Sequence, residues 1–433
     1  MSPVDTAYVD IWDETVGAVA WDQEREFATF EFDTEFLSKD LDLSPLTMPL
    51  SGAQRGQTKY DFRALRKETY YGLPGLLSDA LPDRFGHNVI NAWLARQGRT
   101  PESFNPIERL CYTGKRAMGA LEFRPVINKT LEKSVPVEID QLLELVQEVV
   151  TQREGLNENL QTGASDALLN ILRVGTSAGG NRPKAVIAMN DETKEVRSGQ
   201  VLAPDGFEYW VLKFDGVVDQ SLGDPAGYGR IEYAYYLMAL DSGIQMNECR
   251  LFKEGGRAHF MTKRFDRRSD GRKLHLQSLC AIAHFDFNNP GAYSYEQAFQ
   301  VNRELRLPYN DMDQLFRRMT FNVVARNQDD HTKNIAYLMD EKGKWRLSPA
   351  FDVIYSFNPL GQWTNRHQMT INGKRGNFSR SDLEIVGDEM GLNNSGDILD
   401  QIGEVISNWE NYADKADVAK EQKLSIRDQH RVL

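Results

Sequence analysis

Cysteine is scarce in this sequence. The three residues, Cys111, Cys249 and Cys280, are odd in number and far apart, which argues against a disulfide framework and against a structural zinc site. Free thiols, buried or half-buried, are the expectation. Long apolar runs are missing too: none approaches the roughly 20 residues a membrane helix needs, so no membrane partner is expected. The opening MSPVDTAYVDIWDETVG has neither a basic stretch nor an apolar one, which argues against a secretory signal and for a cytoplasmic location. A surplus of positive charge is also absent. With a formal net charge of -12 the chain is a poor DNA binder on its own, because nonspecific affinity comes from neutralising phosphates with Lys and Arg. Basic residues do gather in KRFDRRSDGRK, 263–273, which reads as a local patch or as a solvated hairpin with charged flanks. No internal repeat or low-complexity tract is visible.

What is present is an ordinary globular composition, 41% apolar and 26% charged over 433 residues, enough for two or three domains. VGAVAWD and EFATFEFD read as a hairpin with one buried face. LPGLLSDALPDRFGHNVINAWLARQG follows as helix, broken at Pro82 and Gly86. RPVINKTLEKSVPVEID, 124–140, loses periodicity and marks a boundary. Helices IDQLLELVQEVV, with Asp140 as N-cap, and DALLNILRV come next. Strands KAVIAMN, FEYWVLKFDG, CRLFKE and HFMTKRFD then surround one long helix, GRIEYAYYLMALDSG, ending at Gly243. Beyond about residue 292 the pattern is mostly helical, with IAYLMD and KWRLSPAFDV flanking an EKGK turn. The last twenty residues read as a surface helix or a frayed end. The division expected is 1–125, β-rich then helical; 126–290, sheet-rich; and 291–433, helical with a hairpin.

Within NQDDHTKN, Asp329 and Asn334 have the D-x-x-x-x-N spacing of a catalytic base and a metal ligand in phosphoryl transfer, and Asp352 in SPAFDV follows after the hairpin, where a second metal-binding aspartate would stand. Asp330 lacks that spacing and is expected to be a supporting or capping residue whose loss costs less. Taken alone the pair reads equally as a polar turn. Upstream, VGTSAGGNRPKAVIAM joins helix to strand through a Gly-rich loop ending on Lys184. It is not a P-loop, since Asn181 and Arg182 stand where Lys and Ser/Thr are required. Lys213, in an apolar strand, either binds phosphates and pairs with Glu232 on the following helix or lies on the strand's solvent face. TKRFDR, 262–267, stands where a kinase hinge would hold adenine. Gly-rich loop, Lys strand, Glu helix, hinge, Asp/Asn loop and Asp hairpin occur in kinase order, and the agreement carries more weight than any single motif.

NQDDHTKN, WRLSPAFDV, TSAGGNRPKA, WVLKFDG and KRFDR, after an N-terminal segment with LLSDALPDRFG, resemble the HipA family, Ser/Thr kinase toxins of bacterial type II toxin-antitoxin modules. The resemblance implies a protein-kinase-like, two-lobed α+β fold with an added β-rich N-terminal domain. It implies ATP and Mg²⁺ as cofactors, a HipB-like antitoxin, operator DNA bound within the complex, and a translation factor such as glutamyl-tRNA synthetase as substrate, with growth arrest and persistence as the outcome. By position, Asp329 corresponds to the catalytic base, and Asn334 and Asp352 to the Mg²⁺ ligands. Ala178, Gly179, Gly180, Asn181, Arg182 and Lys184 correspond to the phosphate loop, and Lys213 to the phosphate-binding lysine, with Glu232 as its partner. Lys263, Arg264 and Phe265 match the hinge; His331, Lys333 and Phe351 are further nucleotide contacts. Ser177 corresponds to an autophosphorylated serine, whose phosphate would compete with the nucleotide for the loop amides. Asp352 is followed by Val353-Ile354 rather than Phe-Gly, and no His-Arg precedes Asp329, so activation-loop control of the eukaryotic kind is not implied. DDHTKN is also similar to the D-R-H-x-x-N loop of lipid kinases. The alternatives are a phosphoinositide-kinase-like enzyme and a catalytically silent scaffold or co-repressor on antitoxin and DNA. A zinc hydrolase built on His331 is disfavoured, because no second His or Cys stands at ligand spacing.

Overall fold

The computed structural model describes residues 4–96, 98–151, 172–175, 182–217 and 227–433. Ser177, Ala178, Gly179, Gly180 and Asn181 lie outside the described residues, as does most of DALLNILRV. The chain divides into two compact units. The first comprises Met1–Ala226, Phe252–Leu276 and Met339–Gly343; the second comprises Gly227–Leu251, Gln277–Leu338 and Lys344–Leu433.

The first unit opens on a five-stranded sheet of order β4-β3-β2-β1-β5, with β1 at Thr6–Ile11, β2 at Glu14–Asp22, β3 at Phe27–Phe32, β4 at Lys59–Tyr60 and β5 at Leu121–Arg124. Alternation of apolar and polar residues makes these strands: in TAYVDI, Ala7, Val9 and Ile11 are buried and the residues between them face outward. Helix α1, Arg84–Arg96, runs through Gly86 instead of breaking there. The Asp83 carboxylate accepts the Gly86 N–H at 2.6 Å, so Gly86 stands in the first turn and Asp83 fills the capping role. Helix α2 is Pro106–Thr113, capped by Asn105 on the Glu108 N–H. Helix α3, Ile139–Thr151, begins one residue before Asp140, which therefore sits in the first turn and is not the N-cap.

A second sheet has the order β7-β6-β8-β10-β9, with β6 at Lys184–Met189, β7 at Val196–Ser198, β8 at Glu208–Lys213, β9 at Cys249–Glu254 and β10 at Arg257–Lys263. One face of it packs Ala185, Ile187, Trp210, Leu212 and Met261 against Val89, Ile90 and Leu94 of α1 and Leu142 and Val146 of α3. Burial of each large side chain there contributes about 1.5–3 kcal/mol. The other face carries Val186 and Val211 as a small separate apolar pair.

The 263–273 segment corrects the reading of a solvated basic hairpin. Arg264 and Arg267 have side chains only 0% and 3% exposed, and both grip Asp266. Asp266 also accepts the Gly119 N–H at 2.7 Å, while Arg267 donates to the Gly119 and Ala117 carbonyls at 3.0 and 3.1 Å. Burial alone would raise the Asp266 pKa, but the two guanidinium groups overcome it and hold the carboxyl well below the usual range. Arg272 and its partner Asp270 remain exposed, and Lys263 and Arg268 are half-buried. This knot fastens the turn before β5 to the end of β10. Replacing Asp266 by Ala, which leaves two buried cations unpaired, is expected to destabilise the protein by about 3–5 kcal/mol, read as a lower denaturant midpoint.

In the second unit, α4 is Tyr228–Asp241, α5 is Tyr295–Glu304, α6 is Tyr309–Val324 and α7 is Lys420–Arg427. Gly243, at φ 71°, ends the α4 segment as expected, and a Cβ there would meet the Arg317 guanidinium at 3.0 Å. S-x-x-Q before α5 forms a capping box between Ser294 and Gln297. Helix α6 buries Leu315, Phe316, Met319, Phe321 and Val323, and its first-turn Asp311 accepts the Leu347 N–H at 3.0 Å. That bond ties the strand Trp345–Leu347 to the first turn of α6, while the strand Ala336–Met339 leads directly out of the loop that follows α6. Among the described residues no helix is long and apolar enough to cross a membrane.

Candidate active site

The loop after α6 is short, polar and held from several directions. Arg326, at φ 58°, starts it. Its guanidinium donates to the Gln429 carbonyl at 2.7 Å and lies 4.5 Å over the Phe357 ring. A single turn, Thr332–Asn334, ends the loop, and the Thr332 hydroxyl donates to the Phe285 carbonyl at 2.6 Å.

The two adjacent aspartates have opposite environments. Asp330 is buried and accepts three hydrogen bonds: the Tyr295 hydroxyl at 3.0 Å, His367 Nδ1 at 2.8 Å and the Gln368 N–H at 2.8 Å. The His367 proton can be placed by elimination. Arg431 lies 2.9 Å from His367 Nε2, and a guanidinium only donates, so Nε2 accepts and Nδ1 carries the hydrogen that reaches Asp330. Burial would raise the Asp330 pKa; His367 and the other donors outweigh it and lower it. A chain of polar groups continues from Asp330. Asn322 donates to the Tyr295 hydroxyl at 3.0 Å, and Asn327 donates to Asn322 at 2.9 Å and to the Asp352 carbonyl at 3.4 Å.

Asp329 is pushed the other way. Burial, then the charges of Asp352 and Asp330, raise its pKa, against the opposing pull of His331 and of the Trp363 N–H. Its side chain keeps 41% exposure, so water moderates the rise without cancelling it. The Trp363 indole donates to Asp329 Oδ1 at 2.6 Å, and His331 Nε2 lies 3.9 Å from the same oxygen. The Asn334 amide donates to the Asp329 carbonyl at 2.8 Å, closing the D-x-x-x-x-N loop and leaving its own Oδ1 as an acceptor. Asp352 adopts φ 52°, a left-handed conformation that Asp tolerates better than most residues and that concentrates at functional sites. The structure thus brings Asp329, Asn334, His331 and Asp352 into one electrostatic neighbourhood. Lys333 lies beside it with Nζ 4.8 Å over the Phe287 ring, while Phe351 is half-buried just before Asp352. Trp363→Phe removes the donor that opposes the rise. The Asp329 pKa should then climb further, moving the acid limb of a pH–rate profile to higher pH; a limb that stays in place or moves down would refute this role for Trp363.

Several of these partners were not anticipated. Tyr295, Asn322, Trp363, His367, Gln368 and Arg431 stand outside any recognisable motif, and only the fold gathers them. The C-terminal segment in particular is neither a plain surface helix nor a frayed end. After α7, Arg431 donates through its backbone to the Val324 carbonyl at 2.9 Å and through its side chain to Gln328 at 3.0 Å, and His430 meets the Tyr235 hydroxyl at 3.0 Å. Residues 429–431 are therefore part of the support of the loop. Removing residues 429–433 should lower both the melting temperature and any loop-dependent activity.

In the first unit, the register of β6 on β8 places Lys184 directly opposite Lys213. Both project from the face that carries Val186 and Val211, since alternate residues of a strand share a face. Like charges opposed on adjacent strands disfavour each other. Lys184, buried, lies 4.0 Å from the Asp83 carboxylate, and half-buried Lys213 lies 5.6 Å from the Phe260 ring centre. Two cations at the end of an apolar strip suit an anionic ligand with a flat apolar part. Of the hinge residues, Lys263 pairs with Glu208, and Phe265 is half-buried. The Arg264 guanidinium is committed to Asp266 and its N–H donates to the Tyr209 carbonyl at 2.8 Å, which leaves only its carbonyl for a ligand. Arg182 precedes β6. Glu232 is buried on α4 in the second unit.

The fold is the protein-kinase-like α+β fold with an added β-rich N-terminal domain that was expected. A model of the HipA-like C-terminal domain matches residues 176–419, and one of the HipA N-terminal domain matches residues 7–124, so the chain belongs to the HipA family. Among solved structures, HipA in the complex of the Shewanella oneidensis MR-1 toxin-antitoxin system with HipB and operator DNA is similar at a TM-score of 0.67 and 15% identity, covering 98% of this chain and 94% of that one. The Helicobacter pylori proinflammatory kinase CtkA covers 51% of this chain and 92% of its own at 13% identity, with a TM-score of 0.29, too low to argue from.

Proposed function

We propose that this chain is an ATP- and Mg²⁺-dependent serine/threonine protein kinase acting as the toxin of a type II toxin-antitoxin module. The observation that carries the reading is the closed Asp329–Asn334 loop, in which a carboxylate of raised pKa stands within the field of Asp352. A carboxylate whose pKa the neighbouring Asp352 charge helps to raise, beside an amide oxygen left as an acceptor, suits a divalent cation. The donors are all oxygen, and Mg²⁺ is commonly held by one or two such groups, waters and substrate phosphates. Asn334 Oδ1 and the Asp352 carboxylate would hold it, and it would neutralise charge developing on the transferred phosphoryl group.

The chain's own residues do the rest. Asp329 orients the attacking hydroxyl of a serine or threonine and takes its proton; Trp363 keeps the carboxylate in place. Lys184 and Lys213 hold the phosphates, with Glu232 as the proposed partner of Lys213 and Gly179–Lys184 as the proposed phosphate loop. Lys263 and Phe265 with the Arg264 carbonyl border the base, and His331, Lys333 and Phe351 complete the nucleotide contacts. Ser177 is the proposed autophosphorylation site. A HipB-like antitoxin is the proposed partner, supported by the HipA–HipB–operator DNA composition of the Shewanella complex. The net charge of -12 favours DNA contact through that partner. Glutamyl-tRNA synthetase is the proposed substrate, with growth arrest and persistence as the consequence.

Thermal-shift titration separates an enzyme from a silent scaffold. ATP with Mg²⁺ should raise the melting temperature more than ATP with a chelator, and Asp352→Ala should erase the difference. Equal shifts with and without the metal would contradict the proposed ligands. Ser177→Ala should abolish autophosphorylation, and label persisting on Thr176 would move the site.

A further inference from the structure

A cavity of about 370 Å³ lies in the first unit, within the range of about 300–1,000 Å³ typical of small-molecule sites. It is bounded by β2, α1, the turn at Pro101–Ser103 and the start of α2. None of the residues assigned to phosphoryl transfer lines it. Trp21, Tyr71 and Phe104 supply three aromatic walls. At its base is Arg109, 9% exposed. Its guanidinium donates to His87 Nδ1 at 3.3 Å, the Asn91 side-chain oxygen at 3.1 Å and the Pro101 carbonyl at 3.2 Å. All three acceptors are neutral, and among the described residues no carboxylate lies within ion-pair distance of it. A buried cation without a direct ion pair is expensive to keep; burial pulls its pKa down, and Glu102 and Glu108 oppose that only from beyond ion-pair distance.

The remaining polar groups are donors in excess. Arg84 is exposed and engages no protein acceptor among the described residues, and the Asn91 amide N–H₂ is left over once its oxygen has accepted from Arg109. Of the two acids on the wall, Glu26 is paired with Lys67 at 2.5 Å and Glu102 is satisfied by its own backbone N–H and the Thr100 hydroxyl. A cavity with aromatic walls, a buried guanidinium at its base and a second at its rim calls for a flat ring bearing an acceptor-rich anion.

We propose that this cavity is a second ligand site, separate from the kinase site, for an aromatic anion of mononucleotide size, with its phosphate or carboxylate on Arg109 and Arg84 and its ring against Trp21 and Tyr71. The inference does not depend on the kinase reading. The probe is AMP, titrated calorimetrically into the full-length chain carrying Lys213→Ala and Asp352→Ala, which removes the proposed kinase-site ligands. One-to-one binding is expected to persist there and to weaken at least tenfold when Arg84→Ala, at an exposed position, or Trp21→Ala, at a half-buried one, is added. Adenosine and inorganic phosphate should each bind more weakly than AMP. Loss of AMP binding in the kinase-site variant, or binding indifferent to both Arg84→Ala and Trp21→Ala, would overturn the proposal. So would a cavity that ignores AMP but takes a peptide ending in an aromatic residue.

Discussion

Asp329→Asn is expected to lower phosphoryl transfer by about 10²–10⁴-fold, the usual contribution of a positioned general base, while leaving the fold intact and Mg²⁺-dependent nucleotide binding in place. The stability change should be neutral or favourable. Asp329 carries a raised pKa, so its carboxylate is a strained charge in the folded state, and a neutral amide of the same shape relieves it. The sign for pH follows. A raised folded-state pKa gives a contribution to stability that is present at low pH and lost as pH rises through it. The same protonation that stabilises the fold therefore disables the base. Wild-type activity should fall on the acid side while the melting temperature does not fall on account of this group. Rates and melting curves of wild type and Asp329→Asn measured across the acid range test both signs at once.

Its neighbour should behave in the opposite manner. Asp330→Ala is expected to destabilise the protein by about 3–5 kcal/mol, because it strips one partner from a buried, hydrogen-bonded charge network and orphans Tyr295, His367 and the Gln368 N–H together. The expectation from spacing alone, that loss of Asp330 costs less than loss of Asp329, would on this account apply to chemistry and not to the fold. For the fold, Asp330 is expected to be the costlier of the two to remove. Its lowered pKa makes its contribution present above the ordinary carboxylate range and lost as pH falls through the folded-state value. Acid unfolding of wild type should accordingly be steeper than that of Asp330→Ala. Equal denaturant midpoints for the two proteins would show that the network is not what holds the loop.

Local pattern carried much of this. Alternation in TAYVDI, the continuous apolar runs of β6 and β8, the S-x-x-Q cap of α5 and Gly243 after α4 are each decided within a few residues, and each is legible in the sequence. The D-x-x-x-x-N spacing singled out Asp329, and the Asn334 hydrogen bond to its carbonyl is the local consequence of that spacing. Long-range partners were not legible. Trp363 and His367 lie 34 and 37 residues from the aspartates they hold, and Arg431 lies 64 residues from His367. Nothing in their immediate surroundings marks them, because their roles exist only once α5, α6 and the C-terminal residues are packed. The 263–273 stretch misled for a related reason. Charge density suggests solvent, but Arg264, Asp266 and Arg267 satisfy one another and the Gly119 turn, so they can be buried together. Opposed Lys184 and Lys213 show a third case: each is visible in its own strand, yet the pairing of the two cations is created only by register.

The most direct test of the central claim is transfer of label from [γ-³²P]ATP to the purified full-length chain with Mg²⁺, comparing wild type with Asp329→Asn and mapping the labelled residue. The account predicts Mg²⁺-dependent label on Ser177 in wild type and at most a trace in the variant. Equal labelling of the two proteins, or none in wild type despite Mg²⁺-dependent nucleotide binding, would contradict it.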